Sequence, residues 1–358
     1  MIANQTLAKG VERGIITAEQ AERLRALEYA GEPPDLPVSP DDEQLRFISG
    51  FSDIFVTIGL AMFLGAIGFF GSRSGGPLGM WITIAAAAWL LAEFFTRLRR
   101  MALPSIVLLV VFVAAVFLAA NTFLGAGARA SLQPQAGAGT FGLTGFDPTT
   151  VAAAAFVTVL ATALHYWRFQ VPITIAAGCG ALTGTVAGLI YGLAPELPPV
   201  AYNIVIFACG LAVFALAMRF DIADPERLTR RTDIAFWLHL LASPLIVHSL
   251  IKGMVTDAST LSPATAVAIM AVFLALSFVA VLIDRRAMLV SGLAYAGIAF
   301  WTLIQQAGLS DMTTPLTLLV LGAFVLLLSA GWRPLRAGTL ATIPSALTRR
   351  LPQPTLSV

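Results

Sequence analysis

Ten long apolar stretches alternate with polar gaps along this chain, and basic residues concentrate in every second gap. A bilayer core about 30 Å thick needs about 20 apolar residues in a helix, because only internal hydrogen bonds satisfy the backbone in hydrocarbon. The pattern therefore predicts an all-α fold, a polytopic membrane helix bundle with about ten transmembrane helices. The predicted spans are 53–71, 78–96, 103–124, 150–167, 171–192, 200–218, 234–251, 264–283, 288–305 and 315–331.

The positions of the basic residues predict the orientation of the bundle. Nineteen of the 22 Lys and Arg residues lie in the N-terminal segment, the even-numbered gaps or the C-terminal tail, and only Arg73, Arg129 and Lys252 lie in odd-numbered gaps. Basic residues stay on the cytoplasmic side during insertion, so both termini are predicted to be cytoplasmic. The polar N-terminal segment is unlike a cleavable signal peptide. The preference for Arg over Lys favours a bacterial source, and hence the inner (cytoplasmic) membrane.

The composition makes lipid the predicted partner. Hydrophobic residues form 58% of the chain and charged residues only 12%, whereas a soluble domain has about 45–50% apolar and about 25% charged residues. So little polar surface cannot cover a water-facing globule, and nothing in the composition indicates nucleic acid as a partner. Tryptophans near the span ends fit aromatic belts, with Trp81 and Trp301 at the outer boundary and Trp167, Trp237 and Trp332 at the inner one.

The residues outside the spans divide into distinct segments. Residues 1–30 are predicted to form a small N-terminal cytoplasmic helical hairpin, in which Gly14 ends the first helix and Thr17 and Gln20 form a capping box for the second. Residues 31–46 are a Pro-rich linker and helix start, 47–336 the transmembrane bundle and 337–358 a disordered cytoplasmic tail. The hairpin buries too little surface to be stable alone. We expect residues 1–30 to bind a cytoplasmic protein partner, a second copy or the bundle.

The N-terminal hairpin also carries a resemblance. Three features of the chain together resemble a family of predicted bacterial multi-span membrane proteins that is classed as a domain of unknown function. They are the Pro-rich linker, the multi-span body and the run Val11-Glu-Arg-Gly-Ile-Ile-Thr-Ala-Glu-Gln-Ala-Glu-Arg-Leu24. The resemblance extends over about the first 120 residues. It implies a cytoplasmic hairpin before the spans. It brings no activity, so no functional residue is carried over from it.

Ionisable residues inside a span are costly unless they are paired or face the interior. Glu93 lies one turn from the inner end of the second span, with Arg97 four residues on, the favourable order for an ion pair. One interpretation is a pair at the membrane interface. The other is a proton or cation carboxylate in a cavity.

His239 and Ser243 share one face of the seventh span, and Pro244 removes the hydrogen bond to the carbonyl of Leu240. One interpretation is a hydrogen-bonded interior histidine, and the other is a pathway or ligand site. His239, Ser243, Glu93 and Arg97 are therefore the candidate intramembrane polar site. A cross-helix pairing of His165 with His239 is a further possibility. The sequence indicates no metal site and no cofactor.

The connection after the sixth span carries mixed charges, from Asp221 to Asp233. We interpret it as a solvated, salt-bridged turn. The alternative is a docking surface for anionic lipid headgroups or for the N-terminal hairpin. Small-residue runs, such as the GxxxG spacing of Gly184 and Gly188, predict close helix packing.

Two classes of function remain open. The chain has no CxxC pair, HExxH, Walker loop or GxSxG motif, so we predict that it is not an enzyme. The first class is a carrier or permease-like protein for a neutral, amphipathic or lipid-like solute. Ten spans favour it, as does a weak parallel repeat in which Arg99-Arg100 before the third span matches Arg285-Arg286 before the ninth. The second class is a non-transporting envelope scaffold or sensor that recruits a partner through the hairpin.

Overall fold

A computed structural model describes residues 11–14, 16–22, 51–130, 147–224, 227, 229–254 and 262–341. The chain divides into two compact units, Met1–Glu43 with Pro354–Val358, and Gln44–Gln353. Within the described residues the regular structure is helical throughout, which confirms the all-α prediction. The helices of the second unit are α1 (Phe51–Ala92), α2 (Ala102–Ala130), α3 (Pro148–Phe169), α4 (Ile173–Leu193), α5 (Pro199–Ile222), α6 (Arg230–Met254), α7 (Pro263–Ile283), α8 (Leu289–Gln306), α9 (Thr313–Ala330) and α10 (Trp332–Ala341).

Nine helices in this part of the chain are long and apolar enough to cross a membrane. The first of them, Phe51–Leu98, has 48 residues because α1 continues into a π-helical turn, Glu93–Leu98. Their number and positions match the predicted spans, except that the first two predicted spans both fall within this one helix. The chain is therefore an integral membrane protein with a polytopic helix bundle.

The first helix folds back on itself at Gly75 and Gly76. Neither glycine has helical backbone angles, and Gly76 has φ 60° and ψ −152°, a conformation that glycine adopts without a steric penalty. A methyl group on Gly68 would lie 2.7 Å from Cδ1 of Ile84. In a straight helix these residues would be about 24 Å apart, at 1.5 Å per residue. The two arms are therefore antiparallel, and each is long enough for one crossing.

Among the described residues, each even-numbered gap contains one non-glycine residue in the left-handed conformation. Such a residue ends a helix sharply and turns the chain within a few positions. The four are Arg100 (φ 52°), Gln170 (φ 53°), Arg227 (φ 55°) and Asp284 (φ 58°). The repeat predicted from the paired arginines does not match position by position, because Arg286 begins a 3₁₀ turn while Arg100 is left-handed. We call the end of the bundle that holds these four turns the even-gap end.

The outside of the bundle is apolar, and α6 is its central helix. Leu160 on α3 and Leu326 on α9 expose 56% and 70% of their surface, which suits contact with lipid tails. In the most apolar 18-residue segment of α6, the buried share is 61%. In the corresponding segments of the other membrane-spanning helices, the buried share is 11–39%. The polar residues His239, Ser243 and Ser249 of α6 are accordingly buried inside the protein.

The described part of the N-terminal unit confirms the predicted helix caps. Gly14 has φ 67° and its N–H donates to the carbonyl of Val11 at 3.0 Å. The N–H of Thr17 donates to Oε1 of Gln20 at 2.8 Å, and the N–H of Gln20 donates to Oγ1 of Thr17 at 3.2 Å. These are the two reciprocal bonds of a capping box. The rest of the predicted hairpin, the linker 31–46 and residues 47–50 lie outside the described residues.

The last helix, α10, follows α9 after Gly331 and continues to Ala341, five residues into the stretch assigned to the tail. It is not a surface appendage, because Trp332 and Arg336 are buried. This corrects the assignment of Trp332 to an aromatic belt, since its ring lies inside the protein. Residues 342–358 lie outside the described residues.

Candidate functional site

His239 is completely buried on α6, and its imidazole contacts a carboxylate. Nε2 lies 2.8 Å from Oδ2 of Asp221, next to the last residue of α5. The imidazole also packs edge-on against Phe214, with ring centroids 5.4 Å apart. Nδ1 has no hydrogen-bond partner among the residues that the structure describes. The interpretation of His239 as a hydrogen-bonded interior histidine is confirmed.

Arg285 binds the same carboxylate as His239. Its Nε donates to Oδ2 of Asp221 at 3.2 Å, and its Nη2 contacts Oδ1, so the pair is bidentate. Asp221 and Arg285 are both almost fully buried. A buried carboxylate needs such partners, because its desolvation is otherwise very costly. Asp221 thereby joins the end of α5 to α6 and to the segment after α7.

Asp284, the neighbouring residue, receives three further donors. Nη1 of Arg227 lies 2.7 Å from Oδ2, Nη1 of Arg336 lies 3.1 Å from the same oxygen, and Nε1 of Trp332 donates to Oδ1 at 2.6 Å. These contacts tie the α5–α6 connection and α10 to the end of α7. We call this set the polar network: Asp221, Arg227, His239, Asp284, Arg285, Trp332 and Arg336.

The burial of the polar network corrects one prediction. The sequence predicts a solvated turn from Asp221 to Asp233, yet Asp221 and Asp224 are buried. Side chains directly after α7 contact this connection, as shown by the pairs of Arg285 with Asp221 and of Asp284 with Arg227. Asp224 instead accepts from Thr229 and Thr232 near the start of α6.

Ser243 lies one turn beyond His239 but has different partners. Its hydroxyl donates to the carbonyl of Met288 at 2.6 Å and contacts the hydroxyl of Ser291. It therefore joins α6 to the start of α8. Because Ser243 has no hydrogen bond with His239, the two do not form a nucleophile–base pair of the kind that hydrolases use.

Glu93 and Arg97 form the predicted ion pair, but their stronger partner is a third residue. Oε2 of Glu93 lies 2.6 Å from Nη2 of Arg168, at the end of α3, and 3.5 Å from Nη1 of Arg97. The carboxylate side chain is 30% exposed. No hydrogen bond or ion pair in the described residues joins this group to the polar network. Glu93 and Arg97 therefore lie in one group and His239 in another, and Ser243 belongs to neither.

His165 does not pair with His239. It is buried among Trp89, Phe112 and Phe169, with ring centroids 4.6–5.8 Å away. Its Nδ1 lies 3.4 Å from the hydroxyl of Thr174 on α4. The arrangement is that of a histidine packed in an aromatic core.

A cavity of about 650 Å³ lies between α2, α3, α4 and α6. None of the four candidate residues lines it, and no ionisable side chain does. Small residues on α4 form one wall, and larger apolar side chains on α2 and α6 form the others. They include Ala176, Ala177, Gly180, Ala181 and Gly184 on α4, Val113 and Phe117 on α2, and Trp237 and Leu241 on α6.

Sequence reasoning identified His239 and Glu93 because charged or polar residues inside apolar stretches are conspicuous. It missed Asp284, Arg285 and Arg336 because each lies just outside a span, where charges are ordinary. Within the described residues, no cluster of three or more His, Cys, Asp or Glu side chains could hold a metal ion. No protein-family model, curated protein or solved structure matches the chain.

Proposed function

We propose that this membrane protein is a carrier-type protein that binds an uncharged, lipid-like solute in the cavity between α2, α3, α4 and α6. The observation that carries the proposal is the apolar lining of a cavity of about 650 Å³. Ligand pockets typically have about 300–1,000 Å³, so the space suits one solute of lipid or drug size.

The lining supports an apolar ligand. Thr158 contributes a hydroxyl, and that hydroxyl already donates to the carbonyl of Ala154 at 2.8 Å. An ion or a strongly polar solute would lose its hydration there without gaining partners, which is costly. A hydrocarbon chain or fused ring system loses nothing by entering, because the cavity resembles the bilayer core.

The small residues of α4 create this space. A methyl group on Gly188 would lie 2.8 Å from the carbonyl oxygen of Pro148, so α3 and α4 approach closely there. At Gly184 and Gly180, methyl groups would make ordinary contacts of 3.5 and 3.7 Å, with Ala155 and Leu241. The same small-residue strip therefore packs tightly at one end and borders the cavity along the rest.

The buried carboxylates of the polar network argue against ion coupling at that site. Asp221 and Asp284 both face guanidinium groups at hydrogen-bond distance. A coupling cation would have to displace an arginine. A solute that moves down its own gradient needs no such site.

We also propose a bacterial inner membrane and cytoplasmic termini, which places the even-gap end in the cytoplasm. The alternation of arginines between gaps supports this orientation. Membership of the uncharacterised family that the N-terminal segment resembles is proposed on the same footing, from residues 11–24.

A photoreactive probe tests the binding site. The purified protein in nanodiscs is irradiated with a diazirine derivative of stearyl alcohol, an uncharged chain, and labelled peptides are mapped by mass spectrometry. We expect labelling on α2 and α4 that excess stearyl alcohol abolishes. Gly180→Leu and Ala177→Leu should remove this competable labelling, because leucine fills the cavity.

Gly322→Leu on α9 is the matched control, since open space surrounds that glycine. It should label like the wild type. Labelling that is not competed, or that survives both cavity variants, would exclude the carrier proposal. The scaffold or sensor function, acting through residues 1–30, would then be the remaining candidate.

A further inference from the structure

A second cavity, of about 360 Å³, lies on another part of the bundle. It is lined by Leu216, Arg219, Phe220 and Ala223 at the end of α5, and by Arg231 at the start of α6. Two guanidinium groups therefore share one recess with two large apolar side chains. This combination differs from the first cavity, whose lining has no charge.

Within the described residues, the two arginines use few of their hydrogen-bond donors. Arg231 donates to the carbonyl of Ala223 at 3.4 Å, a long contact, and neither Arg231 nor Arg219 has an ion pair within the described residues. The arginines of the polar network are different, because Arg227 and Arg285 are each bound to a buried carboxylate. A guanidinium keeps its charge at any physiological pH and offers donors in a planar fork that matches a phosphate.

The position of the recess suits a lipid. Arg219 lies three residues before the end of α5, so it is at the boundary of a membrane-spanning helix. Leu216 lies one turn deeper on the same face as Arg219, and both side chains are adjacent to the recess. Phosphate groups of phospholipids lie at this depth, directly above their acyl chains.

We propose that this recess binds the phosphodiester headgroup of an anionic phospholipid. Arg219 and Arg231 donate to the phosphate oxygens, and Leu216 and Phe220 contact the first part of an acyl chain. Basic pockets between transmembrane helices bind such headgroups by this chemistry. The proposal is independent of the solute cavity.

The test measures binding of dihexanoyl phosphatidylglycerol, and of the phosphatidylcholine of the same chain length, to the purified full-length protein by native mass spectrometry. We expect preferential binding of phosphatidylglycerol. Arg219→Gln and Arg231→Gln should each raise its Kd by about tenfold, which corresponds to about 1.4 kcal/mol, because each variant loses a charge-assisted hydrogen bond to the phosphate. Arg219→Lys, which keeps the charge and loses the fork, should have an intermediate effect.

Arg99→Gln is the matched control. It removes one exposed charge from the same end of the bundle, but Arg99 stacks over Phe94 and lies outside the recess. Its Kd should stay at the wild-type value. Equal binding by the wild type and the Arg219→Gln/Arg231→Gln double variant would overturn the proposal.

Two further measurements use only the wild-type protein. Inorganic phosphate, tested as a competitor, should displace the lipid only at concentrations far above the Kd of the lipid. Displacement at concentrations close to that Kd would show a free-phosphate site and overturn the lipid assignment. Phenylglyoxal labelling of arginines in the wild type should fall at Arg219 and Arg231 when phosphatidylglycerol is present, and stay constant at Arg99. Unchanged labelling at Arg219 and Arg231 would also refute the proposal.

Discussion

Replacement of Asp221 by asparagine should destabilise the bundle strongly. Asparagine has nearly the same shape, so the change removes the charge and leaves the packing intact. Arg285, which is 1% exposed, would lose the carboxylate that its guanidinium binds in a bidentate pair. Breaking a buried ion pair on one side costs about 3–5 kcal/mol, because a buried charge is left without compensation. We expect a loss of that size in the free energy of unfolding.

Glu93→Gln gives the matched comparison. It also removes a carboxylate bound to arginine, but the side chains of Glu93 and Arg168 are 30% and 29% exposed. Pairs that water can reach contribute about 0–1 kcal/mol. Both substitutions replace a carboxylate by an amide, yet the structure predicts a much larger loss in the free energy of unfolding for Asp221→Asn than for Glu93→Gln.

Unfolding in mixed micelles, with increasing mole fraction of dodecyl sulfate and detection by circular dichroism, measures both variants under the same conditions. A second variant, Asp221→Leu/Arg285→Met, removes both charges and should recover most of the lost stability, as apolar replacements of buried pairs often do. If Asp221→Asn unfolds at the same dodecyl sulfate fraction as Glu93→Gln, the inferred burial of the pair is incorrect. If the double variant is less stable than the single one, the two residues do not act mainly as a pair.

Three other substitutions test separate parts of the structure by thermal unfolding. Gly71→Ala should cost about 1–3 kcal/mol by overpacking, because its methyl group would lie 2.7 Å from a carbonyl oxygen of the facing arm; Gly65→Ala, with open space around it, should be neutral, and equal effects would contradict the fold-back. Trp332→Phe should cost about 1.5–3 kcal/mol, since it removes a hydrogen bond to a buried carboxylate, and an unchanged midpoint would place α10 elsewhere. Asp147→Ala should cost about 1 kcal/mol, because this residue caps α3 by accepting an N–H at 2.9 Å. The hydroxyl of Thr149, chiefly, lowers the pKa of Asp147, so its stabilisation is complete above the unfolded pKa and disappears as the pH falls through the folded pKa; a wild-type-minus-variant difference that persists in acid would contradict this.

The helices were predictable from the sequence because their signal is local. A run of about 20 apolar residues is typical of a transmembrane helix. Gly75 and Gly76 separate two such runs in the sequence. The capping box of Thr17 and Gln20 was predictable for the same reason, since both hydrogen bonds form within one turn.

The polar network was not predictable, because its contacts are distant in sequence. Asp221 and Arg285 are separated by 64 residues, and Arg227 and Asp284 by 57. From the sequence alone, each of these residues belongs to an ordinary charged turn. Asp284 also binds Trp332 and Arg336 of α10, and nothing in the stretch after the last span indicates that these two residues fold back against α7.

The candidate site was predicted only in part for a related reason. Charged residues in apolar stretches can be found by inspection, but a cavity is defined by what is missing between helices. The small residues of α4 indicate close packing wherever a neighbour approaches and a cavity wherever none does. Only the positions of α2 and α6 decide between the two outcomes.

The accessibility of single cysteines tests the arrangement of the bundle most directly. Cys179 and Cys209 are replaced by alanine, and a cysteine is introduced at Ser74, in the fold-back of α1, or at Arg99, at the even-gap end; both positions are exposed. An impermeant maleimide is applied to intact cells and to permeabilised cells. We predict that the cysteine at position 74 reacts in intact cells and that the one at position 99 reacts only after permeabilisation. Reaction of both from the same side would mean that Phe51–Leu98 does not cross the membrane twice, and would contradict the ten-crossing bundle.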